Sequence, residues 1–126
     1  SRPEVGVFHF ARRSCVLYWM AQYVTEATAL HVGVCRILLT LPENHSLKGK
    51  RQVVRSLTER IRQRFNVSVA EVEDNDLWQR ATLGVCCVSN DPRYANEVLS
   101  QVVAFIENSK DDLELADYQV EILHGL

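Results

Sequence analysis

Residues 46–65, SLKGKRQVVRSLTERIRQRF, place apolar side chains at Leu47, Val54, Leu57, Ile61 and Phe65, three, four or seven positions apart. That spacing brings them to one face of a helix of 3.6 residues per turn, so the segment predicts an amphipathic α-helix with a buried stripe. The same segment carries Lys48, Lys50, Arg51, Arg55, Arg60, Arg62 and Arg64 against one acid, Glu59. Half of the 14 Lys and Arg residues thus fall on one helix of a chain whose formal net charge is -2. A positive ridge on a mildly acidic domain points to a polyanion or an acidic partner surface.

The charge is split along the chain. Residues 1–65 carry +7 and residues 66–126 carry -9. A uniformly basic nucleic-acid binder is therefore excluded, and any such binding has to be local and strongly salt-dependent. With 126 residues, 47% of them hydrophobic, the chain has room for one modest core. The four cysteines, Cys15, Cys35, Cys86 and Cys87, form no CxxC pair and no metal-knuckle spacing. They read as small buried hydrophobes of a reduced, cytoplasmic protein.

Residues 1–30 differ from the rest. Arg12-Arg13, the apolar run from Cys15 to Ala21 and Ala27-Thr28-Ala29 superficially resemble a signal peptide. The apolar run is at the lower limit for one and far too short to span a bilayer. Met20 is the chain's single methionine, which makes it a candidate translation start, with residues 1–19 as upstream sequence or a cloning extension. The expected organisation is an N-terminal extension over 1–30 and one domain over 31–126, with no membrane association.

From His31 the pattern is regular. HVGVCRILLTL reads as a strand with Cys35, Ile37, Leu39 and Leu41 on the core side, stopped by Pro42. Ser46 is a natural N-cap for the basic helix. Val67 to Glu73 alternates as a second strand, with Val67, Val69 and Glu71 on one side and Ser68, Ala70 and Val72 on the other. The polar turn around Asp74 leads to a third strand, Ala81 to Val88, apolar enough to be central. The short connection predicts an antiparallel hairpin. Asp91 before Pro92 starts a second helix, with Ala95, Val98, Leu99, Val102, Val103 and Ile106 buried. Leu113 to Leu123 alternates as a last strand. The order β-α-β-β-α-β predicts an α+β, ferredoxin-like fold: a four-stranded antiparallel sheet with two helices on one face.

Three segments, SLKGKRQVVRSLTERIRQRFNVSVAEV at 46–72, DLWQRATLGV at 76–85 and VSND at 88–91, give the chain a resemblance to the YlxP-like family of small bacterial proteins of unknown function. The resemblance spans about His31 to Leu123. It implies a ferredoxin-like fold in agreement with the pattern above. Genes of that family commonly neighbour those for translation initiation and ribosome maturation, which implies a role near the ribosome. It supplies no activity and no catalytic residues.

On a helical wheel Lys48, Arg51, Arg55 and Arg62 fall within an arc of roughly 60° beside the apolar face. Arginine's planar fork suits paired bonds to phosphate oxygens, so these four are the candidate RNA contacts. The competing readings are an acidic protein partner and a solvated face balanced by the domain's own acids. In Asp76-Leu77-Trp78-Gln79-Arg80, Trp78 and Arg80 are candidates for a stacking or docking contact. The plainer reading has Trp78 capping the core. The open sheet face is expected to carry Val32, Val34 and Leu38, with Glu71, Asp117 and Glu121 as its charges. The first and third strands lack the aromatics of an RNA-stacking sheet. An apolar strip there suits a homodimer, or coverage by the extension.

Catalysis finds little support. His9, His31, His45 and His124 are scattered, and no HExxH, GxSxG or phosphate-cradling glycine loop occurs. Glu71, Glu73, Asp74 and Asp76 offer oxygen ligands for a divalent cation, but a solvated acidic turn explains them more simply. The expectation is a non-enzymatic accessory factor without metal or cofactor that touches ribosomal RNA or a ribosomal subunit through its basic helix. The rival is a dimeric module docking an acidic protein on the same helix.

Overall fold

The computed structural model describes residues 29–109 and 112–126. The N-terminal extension up to residue 28, with Met20 and Cys15, lies outside the described residues. Six elements follow in the order β1 (His31–Thr40), α1 (Leu47–Arg64), β2 (Ser68–Glu73), β3 (Arg80–Ser89), α2 (Pro92–Glu107) and β4 (Glu114–His124). The strands form one sheet in the order β2-β3-β1-β4, antiparallel at every pairing. This is the expected ferredoxin-like α+β fold.

Alternation in β1 decides which face is covered. Cys35, Ile37, Leu39 and Leu41 are buried, and Ala81, Leu83, Val85 and Cys87 of β3 join them. Leu57 and Ile61 of α1 and Leu99, Val102 and Ile106 of α2 close the core from above. Each such side chain contributes about 1.5–3 kcal/mol by leaving water. Gly33 lets α2 approach: a Cβ there would sit 2.9 Å from Leu99 Cδ1. Burial keeps the Cys35 thiol protonated, with its pKa pushed up to about 11, so it is inert. Cys86 turns to the opposite, open face.

Both helices start where their caps predict. Ser46 Oγ accepts from Gly49 N at 2.9 Å, and Asp91 Oδ1 accepts from Arg93 N at 2.9 Å ahead of Pro92. Irregularities in the ladders fall between Glu71 and Glu73 of β2 and opposite Leu38/Leu39 in the β1–β4 pairing. No helix among the described residues is long and apolar enough to cross a membrane.

Candidate functional site

The basic residues of α1 divide by what they touch. Lys50 is completely buried. Its ammonium lies 2.6 Å from the carbonyl of Asp74, 3.2 Å from that of Arg80, 3.3 Å from that of Asn75 and 2.9 Å from Glu71 Oε2. Three protons thus meet four oxygens, which compensates the desolvated charge. Lys50 is therefore no part of the surface ridge. Glu71 is likewise no charge of the open sheet face: it shares Val69's side of β2, turned toward α1 and Lys50. Of the acids expected in a solvated turn, Asp74 also has an internal role. It adopts φ 63 in the hairpin, and its Oδ2 accepts from Thr82 Oγ1 at 2.8 Å. Among the described residues no group of three or more His, Cys, Asp or Glu converges to hold a metal.

Arg62, one of the four candidates, is committed to the fold. Its Nη2 donates to the carbonyl of Val69 at 2.7 Å. Val69 lies on the sheet's edge strand, β2, so this bond ties α1 to the edge of the sheet. On the other flank, the Arg64 guanidinium lies 5.5 Å from the centre of the Phe105 ring and that of Arg60 lies 5.9 Å from it. These contacts tie α1 to α2.

Lys48, Arg51 and Arg55 remain. All three are exposed, and no carboxylate among the described residues lies within ion-pair distance of them. Glu59, one turn beyond Arg55, is exposed and makes no ion pair with any of the described residues. Lys48 stands in the first turn of α1, which contains no acid, and Arg51 follows directly. A helix start is the positive end of the backbone dipole, where cations are disfavoured and anions attracted. Neither the dipole nor an internal partner accounts for these two charges.

The Trp78 loop sits at the same end of the molecule. Asn44 Nδ2 donates to the carbonyl of Trp78 at 2.6 Å and to that of Ser46, the α1 cap, at 2.7 Å. Leu41 N donates to the Gln79 carbonyl at 2.9 Å, and Gln79 Nε2 reaches back to the carbonyls of Pro42 and Asn44, each at 3.2 Å. Lys50 holds the loop from beneath. On this pinned backbone Trp78 is 54% exposed and Leu77 44%. Trp78 does not cap the core, which corrects the plainer sequence reading. Arg80 is half exposed, with Nε 4.0 Å from Asp74 Oδ2. Thr40, Asp76, Leu77, Trp78, Gln79 and Arg80 line a hollow of about 470 Å³.

A larger trough of about 840 Å³ crosses the open sheet face, lined by Val34, Arg36, Ala70, Val72, Gly84 and Cys86 among others. At the far end of the sheet His31 and His124, 93 residues apart in sequence, face each other in register with their Nδ1 atoms 2.8 Å apart. The antiparallel β1–β4 ladder brings them together, a pairing that spacing along the chain does not reveal. None of these histidines approaches the candidate RNA contacts.

Comparison with known proteins gives the chain a family. It is 38% identical over 63 residues to the uncharacterized protein YlxP of Bacillus subtilis (strain 168), covering 50% of this chain and 68% of that one. Among solved structures it is similar to the de novo designed protein Foldit4, with TM-score 0.44 and 14% identity over 73% of this chain and 94% of that one. It is also similar to a C-terminal segment of the alpha subunit of aIF2 from Pyrococcus abyssi, with TM-score 0.44 and 16% identity over 88% and 58% of the two chains. Residues 32–120, from the second residue of β1 into β4, match the protein family of unknown function DUF503, and the chain belongs to that family.

Proposed function

We propose that this DUF503 domain is a non-enzymatic cytoplasmic accessory factor that binds ribosomal RNA, alone or within a ribosomal particle, through the first half of α1. The observation that carries the reading is the cationic patch of Lys48, Arg51 and Arg55 along the first half of that helix, without an acidic partner among the described residues. These side chains bind phosphates and position the domain without reading sequence. Trp78 and Arg80 add a docking contact from the pinned loop. The acidic C-terminal half limits indiscriminate binding. The gene neighbourhood implied by the YlxP-like resemblance supports the ribosome as the source of the RNA.

The rival reading, a dimer formed through the open sheet that docks an acidic protein on the same helix, draws support from the trough on that face, where Val34, Ala70 and Val72 lie beside Arg36 and Glu121. One experiment separates the two: binding of the wild type and of a Lys48→Glu/Arg51→Glu/Arg55→Glu variant to ribosomal subunits and to naked ribosomal RNA. The expected result is loss of both interactions in the variant. The wild-type log–log salt slope on single strands should be about -2 for three phosphates. Subunit binding without any affinity for naked RNA would favour the protein partner. Unchanged binding in the variant would discard α1 as the site.

A further inference from the structure

We infer that the Trp78 loop is a receptor for one unpaired nucleobase, so that the RNA engaged by this domain presents a single-stranded or bulged nucleotide beside its phosphate run. The inference rests on the reading of Lys48, Arg51 and Arg55 as phosphate contacts and names the class of RNA that reading leaves open.

Burial does not explain Trp78. Leu39, Leu41, Ala81 and Leu83 close this end of the core without it, and the indole is 54% exposed. Nor is the loop loosely held. Asn44, Gln79 and the backbone of Leu41 fix the Trp78–Gln79 segment. Lys50 fixes Asp74, Asn75 and Arg80 on either side, and Leu77 N closes a turn onto the Asp74 carbonyl at 3.1 Å. An aromatic plane held this way is ordered before a ligand arrives, so binding does not have to order it.

The surroundings favour a nucleobase over a pocket on another protein. The shallow hollow beside the indole is mostly apolar surface, with Leu77 and Trp78 in its lining, and it has a rim of polar side chains: Thr40, Asp76, Gln79 and Arg80. A base offers a π-face for Trp78 and a polar edge for that rim. Its phosphate needs a nearby cation, and the amide of Asn44 joins the Trp78 backbone to Ser46, two residues before Lys48. A base within a duplex is stacked on both faces and closed to the indole. Only an unpaired base fits.

The test uses the Trp19→Phe protein, in which Trp78 is the sole remaining tryptophan. Its fluorescence and affinity are measured with a short oligoadenylate, a blunt RNA duplex, and the same duplex carrying one bulged adenosine. Quenching is expected with the oligoadenylate and the bulged duplex, not with the blunt one. Trp78→Ala should lower affinity for the first two by about 5- to 150-fold and leave the blunt duplex within about twofold, whereas Trp78→Phe should keep most of the affinity. If RNA binds and Trp78→Ala weakens no species selectively, the nucleobase site is overturned while the phosphate patch stands. If the wild type binds none of the three, both fall. Loss of subunit binding in Trp78→Ala would then point to a pocket on a protein.

Discussion

Lys48 and Lys50 are two residues apart in the same turn of α1, and their surroundings are opposite. Lys50 is enclosed by four oxygens of the β2–β3 hairpin, while Lys48 is exposed with no acid of the described residues within ion-pair distance. The contrast extends along the helix. Arg62, Arg60 and Arg64 are engaged by Val69 and Phe105, whereas Arg51 and Arg55 have no such partner among the described residues. Seven cations that look equivalent in sequence therefore separate into a structural set, which shapes the hairpin and the helix pair, and an unsatisfied set at the helix start. Charge alone does not identify a binding surface; charge without an internal partner does.

Lys50→Met tests the structural end of this contrast and should have the largest effect. It leaves the half-buried Glu71 carboxylate without its counter-charge and strips three carbonyls of their donor. The expected loss is about 3–5 kcal/mol in urea unfolding. Adding Glu71→Leu should recover the part due to the stranded charge but not the part due to the carbonyls. Hydrogen exchange should show the Leu77 and Leu41 amides, which donate to the Asp74 and Gln79 carbonyls, opening in both variants. A loss below about 1 kcal/mol would mean that the hairpin holds its shape without the lysine.

How much of this was legible in the sequence follows from the same residues. Element order, caps and core faces were readable because they depend on local periodicity: Leu57 and Ile61 at helical spacing, Cys35, Ile37 and Leu39 in alternation, Ser46 and Asp91 before helical turns. The inward direction of Lys50 was readable too, since on the wheel it falls inside the apolar stripe between Leu57 and Ile61. What was hidden is its compensation: only the hairpin, brought over it by strand pairing, supplies the oxygens that make burial favourable. Glu71 was assigned to the open face although its alternation with Val69 already placed it inside. The clue was a lone acid at an inward position of an edge strand. The exposure of Trp78 was equally hidden, because an aromatic beside a strand usually buries, and the bonds that hold it out come from the separate 41–44 loop.

Arg62→Ala comes next. It removes a charged donor from the Val69 carbonyl, but on an edge strand water can replace the guanidinium. The expected cost is about 1 kcal/mol, that of an ordinary hydrogen bond and below the range for bonds to charged groups, because water takes the guanidinium's place. The variant should also lose no more RNA affinity than one peripheral charge accounts for. If Arg62→Ala weakened RNA binding as strongly as Arg51→Ala while leaving stability untouched, the boundary between the two sets would move to include Arg62. A smaller effect is expected for Arg64→Ala, about 0.5–1 kcal/mol for its exposed stacking over Phe105. Phe105→Leu should remove that difference in a double-mutant cycle.

The smallest effects, and the ones most diagnostic of function, belong to Lys48 and Arg51. If they have no internal partner, Lys48→Gln and Arg51→Gln change stability by no more than about 0.5 kcal/mol. Because Lys48 opposes the helix dipole, Lys48→Glu should stabilise the protein by about 0.3–1 kcal/mol at low salt, an increment that fades as salt screens it. The same substitutions should weaken RNA binding. A residue whose removal improves the fold and impairs an interaction is placed there for the interaction. Destabilisation beyond about 1 kcal/mol by either glutamine substitution would instead reveal an internal partner, and the distinction between Lys48 and Lys50 would collapse.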